Sequence, residues 1–262
     1  MLFDKFNNKY IVKGTMVAVT PIHIGAGNMN LDPLEVDNSV IRDSNGKPYI
    51  PGSSLKGVLR SYLEVLLKSL NIDDLTSCII VNDPCIKDSD IKTMRNECKA
   101  RMEKSKKGNF KYNYDEELSK KIYDKMCDVC KIFGSNYFAS KLKIKDLYSK
   151  DDKVYVERRD GVVIDRDTGT SLNGRKYDFE QVPAGTKFDF YMTVDNLDEK
   201  HESILKIIIS ILENEELKVG GKTSVGLGNI KLIDKEVYKI TKDNLKQYLF
   251  NGLSDEMRWS YV

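Results

Sequence analysis

At 262 residues and 30.0 kDa the chain can bury a substantial core as one elaborated domain. No apolar run approaches the roughly 18 residues that a bilayer span needs, so a membrane location is excluded. The net charge of +2 is too small to attract nucleic acid through the whole-molecule field, so any such reading must rest on local clustering.

Met1 to Tyr10 is polar and charged and lacks the apolar stretch of a secretion signal, which predicts the cytosol. Tyr10 to Ile24, rich in Val, Ile and Thr, reads as a long strand running into the turn Gly25-Ala26-Gly27. Two short strands follow, Ser39 to Arg42 and Pro48 to Ile50, on either side of the turn signal Ser44-Asn45-Gly46. After the break at Pro51-Gly52 comes the clearest helix. Leu55, Val58, Leu59, Tyr62, Leu63, Leu66, Leu67 and Leu70 recur at helical spacing and form one apolar stripe, with Ser53 or Ser54 as N-cap.

From Asn71 to about Ser140 the periodicity weakens. Between Lys87 and Lys145 there are sixteen Lys/Arg against nine Asp/Glu, and four of the five cysteines fall between Cys85 and Cys130. This predicts an insertion held together by something besides an apolar core, and a metal would serve. Strands return at Leu142 to Leu147 and Val154 to Val156, and a Gly/Asp/Arg-rich excursion from Arg158 to Glu180 reads as a long hairpin. Lys187 to Val194 alternates as a half-buried strand, and an amphipathic helix spans about Glu199 to Asn214. A turn from Gly220 to Gly228 then leads into a last strand, Asn229 to Tyr238. The element order predicts an α+β, ferredoxin-like (RRM-like) core with large excursions.

Three constellations carry candidate chemistry. The helix start offers free backbone N–H groups and a positive dipole end, Ser53 and Ser54 add hydroxyls, and Lys56 and Arg60 lie four apart outside the leucine stripe. Together they could clamp successive phosphates, or simply form a capped helix with two surface cations. The turn from Gly220 to Gly228 holds four glycines, flanked by Lys218 and containing Lys222, so its backbone could approach an anion. It lacks the G-x-x-x-x-G-K-[ST] spacing of a nucleotide-binding loop, and an empty tight turn is the plainer reading. Cys127 and Cys130 form a C-x-x-C pair that Cys85 and either Cys78 or Cys98 would complete to a tetrahedral zinc set. An odd number of cysteines in a reducing compartment speaks against a disulfide framework. No aromatic RNP1 signature occurs, so base stacking on an open sheet is not expected.

Four segments together resemble the backbone subunits of type III CRISPR effector complexes, in the superfamily of repeat-associated mysterious proteins (Csm/Cmr type). They are Pro21-Ile22-His23-Ile24-Gly25, Asp37 to Asp43, Ile50 to Gly57, and Gly220 to Gly228; Ile164 to Thr170 resembles the family's projecting thumb. The resemblance implies one domain over 1–262, an insertion at about 71–140 that could act as a zinc-binding lid, and a thumb hairpin at about 157–182. It implies a partner set of guide RNA (crRNA), target single-stranded RNA, copies of the same chain and other type III effector subunits. The implied RNA contacts are His23, Ser53, Ser54, Lys56, Arg60, Arg158, Arg159, Arg166, Lys218 and Lys222. Asp37 lies fourteen residues after His23, and this matches the family's cleavage aspartate. It would act with a divalent metal such as Mg²⁺ as the 2′-hydroxyl attacks the neighbouring phosphate, with Asp32 and Glu35 close in sequence. Relatives with a C-x-x-C before Phe-Gly, here Cys127 to Gly134, add to the zinc reading. Alternatives are a non-catalytic filament subunit and a stand-alone guide-processing endoribonuclease.

Overall fold

The computed structural model describes residues 4–27, 36, 38–70, 72, 74–108 and 111–260. Strand β1 (Asn8–Ala18) is central, with Tyr10, Val12, Met16 and Ala18 buried on one face and Ile11 and Thr15 on the other. It stops six residues short of the predicted end, because beyond Ala18 the chain leaves the ladder and makes single bridges, Ile22 to Val182 and Gly25 to Val40. Ser39 to Arg42 likewise forms bridges only, while β2 (Tyr49–Ile50) is a true short strand.

Helix α1 (Gly52–Ser69) buries Leu55, Leu59, Leu63 and Leu67 against the sheet. Each contributes about 2 kcal/mol of apolar burial, so this stripe fixes the helix's orientation. Leu70 falls past the last turn and is exposed. The segment after α1 carries α2 (Asp88–Gly108), α3 (Tyr114–Lys125) and α4 (Asp128–Phe133). Helices α2 and α3 pack on each other, whereas α4 drives Val129, Cys130, Ile132 and Phe133 into the main core.

Strand β3 (Leu142–Ile144) and β4 (Leu147–Tyr148) follow, and β4 pairs with β2. Val154 to Val156 is not a strand. The hairpin begins at β5 (Glu157–Ile164), turns through Asp165 to Thr170, and returns as β6 (Ser171–Gln181) in a two-stranded sheet of its own. Strand β7 (Lys187–Asp195) buries Phe188, Phe190, Met192 and Val194 in the predicted alternation. Helix α5 (Glu202–Glu213) then packs its Ile/Leu face on the sheet, and β8 (Ile230–Thr241) completes it.

The four-stranded sheet runs β3-β7-β1-β8, antiparallel at each pairing, in an α+β arrangement. Its second face carries Ile11, Tyr238 and Ile240, packed with Met257 and with Leu245 and Tyr248 of the short helix α6 (Leu245–Asn251). Among the described residues no helix is long and apolar enough to cross a membrane.

Candidate functional site

The start of α1 is occupied by the protein itself. Pro51 takes the N-cap position, so Ser53 and Ser54 sit inside the first turn and neither caps it. The Gly52 N–H donates to the Asp146 carboxylate at 2.8 Å, and the Ser54 N–H to the Pro51 carbonyl at 3.0 Å. Asp146 thus takes the place at the positive end of the helix dipole that a phosphate was expected to fill. Gly52 is required there, since a Cβ would lie 2.8 Å from the Lys145 carbonyl oxygen.

Lys56 and Arg60 also differ from expectation: they turn inward onto the chain between α4 and β3. Lys56 Nζ donates to Ser140 Oγ at 2.7 Å and the Leu142 carbonyl at 3.1 Å, and burial, with Arg60 nearby, lowers its pKa. Arg60, with 16% of its side chain exposed, donates to Glu64 at 2.7 Å, the Gly134 carbonyl at 3.0 Å and Cys130 Sγ at 3.1 Å. Their helical spacing was read correctly, but the covering segment comes from some 70 to 85 residues later in the chain.

A second constellation forms around Glu180, at the root of the β5–β6 hairpin. His23 Nδ1–H donates to the Glu180 carbonyl at 2.7 Å, which fixes the orientation of the ring. The Glu180 N–H donates to Asn38 O at 3.0 Å, and its carboxylate accepts from Val40 N–H at 3.0 Å and Arg42 at 2.8 Å. The exit of the loop that carries Asp37 is therefore pinned beside His23. Asp37 itself, with Asp32 and Glu35, lies outside the described residues.

The glycine turn closes the third side. Gly221 N–H donates to His23 O at 2.7 Å and Gly228 N–H to Pro21 O at 2.8 Å. Gly220, at φ +84°, leaves no room for a Cβ against the His23 carbonyl. Much of the turn's glycine content thus serves this close internal approach. Lys222 Nζ lies 4.2 Å from the Phe179 ring centre and 4.8 Å from that of Tyr177, while Lys218 reaches the Thr223 carbonyl at 3.3 Å. Along the hairpin Arg158 pairs with Asp178, and Arg159 and Arg166 are exposed, Arg166 at the tip. Glu180, Tyr177 and Phe179 were not singled out from sequence; their even spacing from Tyr177 to Phe179 toward one face was the available signal.

The cysteines assemble as a separate centre. The sulfurs of Cys78, Cys85, Cys127 and Cys130 all lie within 4.8 Å of one another, with Cys78 to Cys130 at 3.5 Å. A tetrahedral zinc with bonds of about 2.3 Å needs sulfurs about 3.8 Å apart, so the set fits. Cys98 is buried on α2 and is not in the group, whereas Cys78 is. Hydrogen bonds from the Cys127 and Cys130 thiols hold the Cys85 thiol well below its ordinary pKa. The turn is anchored by Asp128, which accepts from Thr76 N–H and Oγ1, each at 2.8 Å, and contacts buried His201 Nε2 at 2.8 Å. Burial opposes charging of His201, but its bonds to Asp128 and Asp198 raise its pKa overall.

The α+β core, the projecting hairpin and the glycine turn lashed to His23 define a member of one family. A family model described as the RAMP superfamily matches residues 15–231, and the chain belongs to that superfamily. Three curated relatives each carry the name CRISPR system Cms endoribonuclease Csm3. The protein from Methanocaldococcus jannaschii is 29% identical, with 91% of this chain and 87% of the relative covered. That from Methanothermobacter thermautotrophicus is 23% identical over 87% and 84%, and that from Enterococcus italicus 25% over 90% and 95%.

Proposed function

We propose that this chain is a guide-RNA-binding backbone subunit of a type III CRISPR interference complex that cleaves bound target RNA through the loop carrying Asp37. The observation that carries this reading is the convergence on Glu180, where His23, the exit of the Asp37 loop and the root of the hairpin share one residue, with Lys222 alongside. Family membership and the names of the relatives supply the reaction class. The strand order β3-β7-β1-β8, with α1 and α5 on the two crossovers, supports a ferredoxin-like core in a single domain, 1–262, interrupted by the insertion at about 71–140.

In this reading the hairpin, about 157–182, acts as a thumb that presents Arg158, Arg159 and Arg166 to the guide–target duplex, where arginine planes stack on bases and pair with phosphates. Lys218 and Lys222 hold the backbone beside the glycine turn, and exposed Ser53 adds a hydroxyl at the start of α1. Guide pairing supplies sequence specificity, so the protein reads backbone shape. Asp37 orients the attacking 2′-hydroxyl, which confines cutting to RNA, and His23 is fixed through Nδ1 to the Glu180 carbonyl at the root of the hairpin. A divalent cation such as Mg²⁺ would supply charge neutralisation at the scissile phosphate. Zinc, held by Cys78, Cys85, Cys127 and Cys130, would be structural. The partners are the crRNA, the target strand, further copies of this chain and other type III subunits, assembled in the cytosol.

The test is Asp37→Ala in a complex assembled with guide RNA. Cleavage of complementary RNA should be lost while guide and target binding persist; cutting at the wild-type rate would remove Asp37 from the mechanism. A wild-type complex that binds target but never cuts it with Mg²⁺ present would favour a non-catalytic filament subunit. His201 is 3% exposed between two carboxylates, which leaves stand-alone processing by that histidine without a reachable acid or base.

A further inference from the structure

Resting on the reading of the four cysteines as a metal centre, we propose that Arg60 is the outer-sphere partner of that centre, donating to the Cys130 thiolate and offsetting its charge. Four thiolates around a divalent ion leave a net charge of −2, and Cys78, Cys127 and Cys130 are all buried. Buried charge of this kind is tolerated only with hydrogen-bond donors and a counter-charge close by. Arg60 provides the donor and a positive charge that it shares with Glu64. Its Nη2 lies 3.1 Å from Cys130 Sγ, and Nη1 donates to the carbonyl of Gly134, the residue that ends α4. Nε is held by Glu64 one turn along α1 at 2.7 Å.

One planar fork therefore joins a cysteine ligand, the end of the ligand-bearing helix and the core helix. A lysine could supply the charge at this position but not the three fixed directions. The same geometry explains why Arg60 is turned away from solvent, and it makes α1 the seat on which the cysteine-bearing turn is mounted. The side chain acts as a positioning residue for the metal site, not as an RNA contact.

The test uses the full-length chain, stripped of metal and titrated with Co²⁺, followed by thiolate-to-cobalt charge-transfer absorption, with a competing chelator to give affinities for Co²⁺ and Zn²⁺. Arg60→Met should weaken both by about 10- to 100-fold, the usual cost of losing an outer-shell partner. Arg60→Lys should recover only part of that loss. An affinity for Arg60→Met within two-fold of wild type, in a folded protein, would overturn the proposal. Should the variant not fold, the wild type loaded with ¹¹³Cd decides: the Arg60 guanidinium protons should exchange slowly and show coupling to the metal through the hydrogen bond, and rapid exchange without coupling would overturn the role. A wild-type chain that shows no thiolate–cobalt absorption at all would remove the metal centre and this role with it. RNA cleavage by Asp37 would remain untouched by that result.

Discussion

The four-stranded sheet with α1 and α5 and the α2–α3 pair differ in how much apolar burial holds them. In the sheet, β7 alternates Phe188, Phe190 and Met192 inward, and α5 buries Ile204, Leu205, Ile208, Ile209, Ile211 and Leu212, so apolar burial alone specifies the arrangement. Along the 21 residues of α2 only Ile91, Cys98 and Ser105 are buried among its described side chains, and α3 buries only Ile122. Beside the few apolar side chains that reach the main core, such as Ile91 and Ile122, this region is fastened by the cysteine cluster, the Asp128–Thr76–His201 hydrogen bonds, and Lys56 with Arg60 reaching from α1. The contrast teaches that a lysine-rich segment with little apolar burial can still be ordered when a few strong, specific contacts supplement it.

Metal removal should break the contrast most sharply. Structural zinc supplies on the order of 10 kcal/mol in small zinc-dependent domains. Chelation should therefore cost amides of α2 to α4 at least about 100-fold of their hydrogen-exchange protection. Amides of β1, β7 and α5 should keep theirs, and equal loss in both regions would mean that the two fold as one unit. Next in size, Leu59→Ala removes a fully buried side chain from the middle of the α1 stripe. It should lower stability by about 3 kcal/mol in denaturant titrations without changing metal content. Smallest, Lys222→Met removes the cation from above the Phe179 and Tyr177 rings. It should cost about 1 kcal/mol or less, seen as a small shift of the thermal midpoint.

The helices α1 and α5, strand β7, the long hairpin and the C-x-x-C pair were legible because each is written in local spacing. What was not legible depends on partners far along the chain. Asp146 caps α1 from 94 residues away, and Ser140 and Gly134 draw Lys56 and Arg60 inward, so a pattern that reads as a phosphate clamp is an internal fastening. Val154 to Val156 has strand composition but no strand to pair with, and α6 has seven residues, too few for periodicity to register. The second apolar cluster under α6 was missed for the same reason.

The central claim is that RNA follows the glycine turn and the hairpin root and not the start of α1. Guide-RNA affinity measured across a salt series tests it most directly, since each phosphate contact on a single strand adds about 0.7 to the slope of log K against log salt. Neutralising Lys218, Lys222 and Arg159 together should flatten that slope by about 2, whereas Lys56→Met should leave it as in the wild type. A slope unchanged in the triple variant, or one that falls with Lys56→Met alone, would contradict the account.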